Sequence, residues 1–153
     1  MATGSNPPVL VLAPALAEAI ARHGEGAYPE ECCGVLLGRV LPQARVVERL
    51  VPITNRWDAG ERSRRFLIGP DDVLRAERES RQQGYEVLGF YHSHPDDLAR
   101  PSAFDREHAW PWYVYVIASI RHGRWETSAA WQLCDDRSGY DAIALVSSLA
   151  PAG

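Results

Sequence analysis

This sequence predicts an α/β layered fold, a mixed β-sheet flanked by helices, and three observations predict it. Apolar and alternating segments of strand type interleave with segments of helical type along the chain. The helical segments carry their own boundary residues, proline and acids at the start and glycine at the end. The chain has 153 residues, enough for one domain with a real core and no need of disulfides.

In chain order, residues 1 to 8 read as a loose tail and 9 to 150 as the domain. Val9 to Leu12 is short and apolar, an edge-strand candidate. Pro14 to Arg22 suits a helix, with proline in its first turn, an alanine-rich body and Gly24 as the stop. Gly24 to Pro29 is a turn. Cys32 to Leu37 reads as a buried strand with Glu31 at its entrance. Ala44 to Val51 alternates apolar and charged residues, as a half-exposed strand does. Thr54 to Arg65 is polar and irregular, the kind of long ordered loop that is often functional. Phe66 to Ile68 returns to strand. Gly69-Pro70-Asp71-Asp72 opens a helix that runs to about Gln83 and stops at Gly84. Tyr85 to Tyr91 is an aromatic strand leading into His92-Ser93-His94-Pro95. A helix starts near Ser102. Trp112 to Ile120 and Trp125 to Leu133 form a hairpin of strands about the turn Arg121 to Arg124. Tyr140 to Leu149 is expected to be a C-terminal helix.

Composition excludes several classes of function. All 16 basic residues are arginine, and against 20 acids they leave a net charge of -4. No basic stripe is visible to neutralise phosphates, so nucleic acid is not the expected partner. Three cysteines, two of them adjacent, form neither a disulfide framework nor a CxxC zinc site. The apolar run from Val9 to Ala21 is broken by Pro14 and Glu18, and residues 1 to 6 lack a positive charge. Neither a membrane span nor a secretory leader is read from them. The expectation is a reduced, cytoplasmic protein.

The chemistry concentrates in His92-Ser93-His94-Pro95-Asp96-Asp97-Leu98-Ala99-Arg100-Pro101-Ser102-Ala103-Phe104-Asp105. Side chains two apart on an extended backbone share a face, so His92 and His94 can offer two imidazoles to one ion. Ser102 and Asp105 share a face of the following helix start, and Asp105 can supply a third ligand. Two histidines and a carboxylate suit zinc and leave one position for water. His108 is one helical step from Asp105 and could compete. Other readings stand beside this one. Histidines at a strand end can be solvated, and Ser102 with Asp105 can be an N-cap and its reciprocal partner. Cys33 could act as a nucleophile, but an apolar strand favours core packing. His23 and His122 are expected to be solvated at turns. Trp110, Trp112, Trp125 and Trp131 are read as core or surface-ridge residues.

This constellation resembles the signature of the JAMM (MPN-plus) metallopeptidases, with His92, His94, Pro95, Ser102 and Asp105 at the family's spacing. An upstream segment of the form Pro-x-Glu-x-Cys-Gly is matched by Pro29-Glu30-Glu31-Cys32-Cys33-Gly34, which puts Glu31 rather than its neighbour Glu30 at the glutamate position. Phe66-Leu67-Ile68-Gly69-Pro70, Leu88-Gly89-Phe90-Tyr91 and Ala130-Trp131 extend the likeness from about Val9 to Leu133. The chain looks most similar to the small stand-alone bacterial members, some of which process ubiquitin-like sulfur carrier proteins ending in Gly-Gly. The resemblance implies a layered architecture related to that of the cytidine deaminases. It further implies one zinc ion held by His92, His94 and Asp105. Glu31 would be the general base, carrying a proton from water to the leaving amine. Ser102 would donate a hydrogen bond to the developing oxyanion, typically worth about 3 kcal/mol.

The implied reaction is hydrolysis of the amide bond after the Gly-Gly tail of a ubiquitin-like or sulfur carrier protein. Thr54 to Arg65 is the candidate flap over a slot for the glycines. The rival from another class is a catalytically silent scaffold of the same fold. Such scaffolds typically lack the histidines, aspartate or glutamate present here. A zinc deaminase is disfavoured because the His-x-Glu and Pro-Cys-x-x-Cys elements are missing.

Overall fold

The computed structural model describes residues 9–149 except Arg56, Arg64 and Leu67, and of Ala59 only the backbone. The expected tail at 1–8 and the expected domain end at 150 lie outside the described residues. Eight strands and three α-helices follow in the order β1 (Val9–Val11), α1 (Pro14–Ala27), β2 (Cys33–Val40), β3 (Ala44–Ile53), α2 (Pro70–Gln82), β4 (Glu86–Pro95), α3 (Ala103–His108), β5 (Val114–Arg121), β6 (Arg124–Leu133), β7 (Tyr140–Ile143) and β8 (Leu145–Val146). The strands make one mixed sheet in the order β7-β6-β5-β4-β2-β3-β1-β8. Its β4/β5, β1/β3 and β1/β8 pairs are parallel and the rest antiparallel.

The C-terminal helix expected from Tyr140 to Leu149 is not formed. Tyr140–Ile143 pairs with β6, and Leu145–Val146 pairs with β1 at the other end of the sheet order. Only Ala144 separates β7 from β8, so the two ends of the sheet lie side by side and the sheet is rolled. Sheet edges need partners, and that demand outweighs the helical propensity of a short alanine- and leucine-containing segment. The same segment leaves β1 paired on both sides rather than at an edge.

Inside the roll, α1 packs on a core of Leu10, Leu12, Ile20, Leu36, Leu88, Tyr91, Val116, Ile120 and Ile143. Gly24 does not end α1, which continues to Ala27. A β-carbon on Gly24 would sit 2.7 Å from Ile120 Cδ1, so this glycine serves close packing of helix on sheet. His23 is therefore on α1 and not in a turn: it is half-buried, with Nδ1 2.9 Å from the Tyr91 hydroxyl. On the outer face, α2 covers a second cluster of Cys33, Val35, Leu37, Val51, Ile53 and Ala76. Phe66 and Ile68 pack against this cluster without joining a strand.

The α2 helix begins as expected, with Pro70 in its first turn and Asp72 accepting from the Gly69 backbone N–H. In β4, Leu88 is an extra residue opposite the Leu36–Leu37 step of β2. This bulge puts Leu88 and Tyr91 in the inner core and Val87 and Phe90 against the outer one. At the β5–β6 hairpin, His122 and Gly123 both have positive φ, 51° and 82°, as a two-residue turn requires. His122 is exposed there, as expected.

Candidate metal centre

Strand β4 continues through Pro95, two turns of the pleat beyond Tyr91, and carries His92 and His94 on its outer face. Cys33 of β2 pairs with His92. Extending that register by one step, the Ser93 backbone N–H donates to the Cys32 carbonyl and the Cys32 N–H donates to Ser93 Oγ. One further step sets Glu31 beside His94. A carboxylate oxygen of Glu31 and one nitrogen of each imidazole lie within 4.8 Å of one another. Glu31 is 4% exposed, whereas its neighbour Glu30 is half-exposed. The antiparallel register turns only Glu31 into the site.

Asp105 arrives from the other direction. At the start of α3 the Ser102 Oγ accepts from the Asp105 backbone N–H at 3.1 Å, and Asp105 Oδ2 accepts from the Ser102 N–H at 2.8 Å. This reciprocal cap fixes the carboxylate. Its Oδ2 lies 3.0 Å from His94 Nε2 and 3.3 Å from His92 Nε2, and the two Nε2 atoms are 3.2 Å apart. Zinc bonds of roughly 2.0–2.2 Å in tetrahedral geometry require ligand atoms about 3.3–3.6 Å apart. The triangle is within a few tenths of an ångström of that, so these donors fit a zinc ion. His94 Nδ1 donates to the Leu98 carbonyl at 2.8 Å, which leaves the Nε2 lone pair facing the centre. His92 Nδ1 and Glu31 Oε1 are buried with no hydrogen-bond partner. Cap and ligand positions are thus compatible at Asp105. The Ser102 hydroxyl accepts at the cap and keeps its proton to donate elsewhere.

Electrostatics follow from burial and proximity. Burial pushes the Glu31 carboxyl up to about 8; His94 pulls it down, while Asp105 and Asp97 push it further up. Burial depresses the His92 imidazole. Burial also works against a charge on His94, but its hydrogen bond to Asp105 and the charges of Asp105 and Glu31 hold it at about 9. Asp105 shows the complement: burial opposes its charge, and the two imidazoles outweigh that and hold it well below the usual carboxylate range.

A cavity of about 300 Å³ opens beside the triangle, lined by Glu31, Ser63, Arg65, His94, Pro95, Asp97, Ser102, Ala103 and Phe104. The expected flap at 54–65 borders it, and among its described residues it is tied down. The Glu31 N–H donates to the Arg62 carbonyl, and Asn55 Nδ2 donates to the carbonyls of both Glu31 and Arg65. Asn55 Oδ1 accepts from the Trp57 N–H, and the Trp57 ring packs edge-on against Phe104. Asn55 was not foreseen; an asparagine in a polar loop has no sequence signal separating a hub from a turn residue. Phe66, expected in a strand, stacks its ring on His92 with centroids 4.5 Å apart.

The remaining expectations divide. His108 does not compete for the ion: it is exposed, its Nδ1 2.9 Å from the Phe104 carbonyl. Cys33 is fully buried, its thiol pushed up to about 12 by burial, with Sγ 3.6 Å from the Ile53 carbonyl. It is a core residue. Trp110, Trp112 and Trp125 are exposed at 66%, 42% and 45% and form surface features, while Trp131 is half-buried.

Comparison with known proteins bears on this geometry. The family described as prokaryotic homologs of the JAB domain matches residues 13–134. The chain belongs to this family. It is 41% identical over 101 residues to a desampylase of Haloferax volcanii, covering 65% of this chain and 70% of that protein. It is 31% identical over 96 residues to a probable TtuB-protein conjugate cleaving protease of Thermus thermophilus, covering 61% and 60%. A tail tip assembly protein K of Escherichia phage N15 is 33% identical over 101 residues, 63% of this chain but only 37% of the phage protein. Among solved structures, one of a Salinibacter ruber protein is 40% identical, with a TM-score of 0.72, covering 95% of this chain and 94% of that one. A JAB1/MPN domain protein of Archaeoglobus fulgidus, at 19% identity and a TM-score of 0.53 over 90% and 98% of the two chains, shares the fold. The protein is a JAMM-type hydrolase.

Proposed function

We propose that this protein is a zinc-dependent peptidase that cleaves the amide bond following the Gly-Gly terminus of a ubiquitin-like protein of the sulfur carrier type. The observation that carries this reading is the triangle of His92 Nε2, His94 Nε2 and Asp105 Oδ2 with the unpartnered Glu31 carboxylate beside it. The relatives named as a desampylase and as a conjugate cleaving protease support the substrate class.

The residues divide the work by position. His92, His94 and Asp105 would hold the ion, which when bound supplies Lewis acidity toward water and the scissile carbonyl. Glu31 stands beside this set with a free oxygen. It takes a proton from the attacking water and returns it to the departing amine. In the metal-free fold burial raises this carboxyl to about 8, and a bound dication would favour its ionised, proton-accepting form. Ser102 lines the cavity with its hydroxyl proton available, and donates it to the oxygen of the scissile carbonyl as charge develops there. Phe66 stacks on the buried His92 ring and covers that face of it. The glycines pass between the 54–65 segment and α3, where an extended tail without β-carbons fits a narrow path. No helix among the described residues is long and apolar enough to cross a membrane.

The test is incubation of the zinc-loaded protein with a Gly-Gly-tailed carrier extended at its C-terminus, read by mass spectrometry. The expected product is the carrier ending in Gly-Gly. An intact substrate with both extended and lysine-linked carriers would overturn the proposal.

A further inference from the structure

The two chain segments that carry Glu31 and His94 are tied together twice, once on each side of that pair. The first tie is the reciprocal bonding of Cys32 with Ser93 described above. The second lies further out. Tyr28, three residues before Glu31, donates its hydroxyl to Oδ2 of Asp96, two residues after His94, at 2.6 Å. Glu31 and His94 therefore sit within a ring closed at both ends. One side of the ring runs from Cys32 back to Tyr28 and the other from Ser93 on to Asp96.

Asp96 is anchored before Tyr28 reaches it. Its backbone is left-handed, with φ 54°, a conformation aspartate tolerates better than most residues. Its N–H donates to the Ile120 carbonyl at 2.6 Å, and its Oδ1 accepts from the His122 N–H at 2.8 Å. The acceptor is thus fixed to the end of β5 and the hairpin turn. Tyr28 is fixed as well: it packs against the inner core, and its N–H donates to the Gly24 carbonyl at 3.1 Å. The bond between them holds the short stretch from Tyr28 to Cys32, which contains Glu31. Asp96 is exposed, and a hydrogen bond open to water adds little to global stability. The residues that line the cavity include neither Tyr28 nor Asp96, so neither is placed to touch substrate. We propose that Tyr28 and Asp96 are positioning residues, which hold Glu31 in register with the imidazoles of His92 and His94. Without the outer tie the ring is open, and Glu31 keeps its burial but not its fixed place beside them.

This inference rests on the peptidase reading above, and the experiment separates the two. Values of kcat and KM are measured for zinc-loaded Tyr28→Phe on a carrier extended beyond Gly-Gly, together with zinc content and melting temperature. The variant's kcat is expected to fall about fivefold or more, because small displacements of a reacting group are costly. Its KM should stay within about twofold, since uniform binding is untouched. Zinc stays at the parental level. In the Glu31→Gln background the same loss of the hydroxyl should change the residual single-turnover rate less than about twofold, because no proton carrier remains to be placed. Asp96→Asn leaves one oxygen for two donors and should lower kcat in the same pattern. An unchanged kcat in both variants, an equal loss with and without Glu31, or a loss that follows zinc content would overturn the inference and leave the peptidase reading standing. No cleavage of extended or lysine-linked carriers by the unaltered protein would overturn both. Where Glu31→Gln leaves no measurable rate, the kcat and KM values with retained zinc decide. Melting temperature identifies a variant that has not folded, and the other variant then decides.

Discussion

Glu31→Gln separates catalysis from stability at one atom. Glutamine has the same shape but cannot carry a proton, so the exchange between water and leaving amine loses its vehicle. General acid–base groups contribute about two to four orders of magnitude, and kcat is expected to fall at least about a hundredfold. The effect on folding runs the other way. An ordinary glutamate ionises near 4.5, and in the metal-free fold burial moves this one to about 8. An acid raised in the folded state destabilises it progressively as pH climbs from the unfolded value to the folded one. At pH 7 most of that gap has been crossed, and at about 1.4 kcal/mol per pH unit the cost is about 3 kcal/mol. Glutamine carries no such cost, so the metal-free variant should melt at the same temperature as the parent or several degrees higher. The assay combines single-turnover cleavage of a Gly-Gly-extended carrier, zinc content and thermal melting with and without a chelator. A variant with near-parental kcat, or one that loses its zinc, would refute the assignment of Glu31 as base and not ligand.

Three further outcomes follow from the geometry. Asp105→Asn keeps an oxygen for the cap at Ser102 but loses the anionic ligand, so zinc stoichiometry should drop well below one per chain while the fold persists. Full zinc retention on elemental analysis would contradict the ligand role. Asn55→Asp sets oxygen against the Glu31 and Arg65 carbonyls in place of two N–H donors. It should cost about 2 kcal/mol in denaturant unfolding and lower kcat as Glu31 loosens, and unchanged unfolding and rate would show that the hub is idle. In the metal-free fold the His94–Asp105 pair stabilises fully between about pH 4 and 6.5, less in acid as Asp105 protonates and less as pH rises through about 9. Zinc must displace that His94 proton, so apparent affinity in a chelator competition titration should rise roughly tenfold per pH unit toward 9. A flat profile would exclude His94 from the ligand set.

Much of the site was legible because its signals are local. A strand puts residues two apart on one face, and that alone pairs His92 with His94. A capped helix start puts its first and fourth residues in mutual contact, and that alone pairs Ser102 with Asp105. The resemblance added Glu31, and the antiparallel register of β2 on β4 shows why the next-door glutamate is turned away. Helix α2, with proline and acids before it and glycine after it, was equally readable.

The failures are those where a distant partner overrides local preference. Gly24 has the credentials of a helix stop, yet Ile120, across the core, requires a residue without a β-carbon there and the helix runs on. Residues 140–146 have helical composition, but both ends of the sheet need a strand beside them, and hydrogen bonds to β6 and β1 outweigh propensity. Asn55 gains its meaning only when the 54–65 segment is laid against Glu31. The sequence by itself pointed to His92 with His94 and to Ser102 with Asp105, because periodicity within one strand and one helix turn is a short-range property. Only the tertiary structure decided how the sheet closes and how Asn55 ties the 54–65 segment to Glu31, because each depends on residues far apart in the chain meeting in the fold.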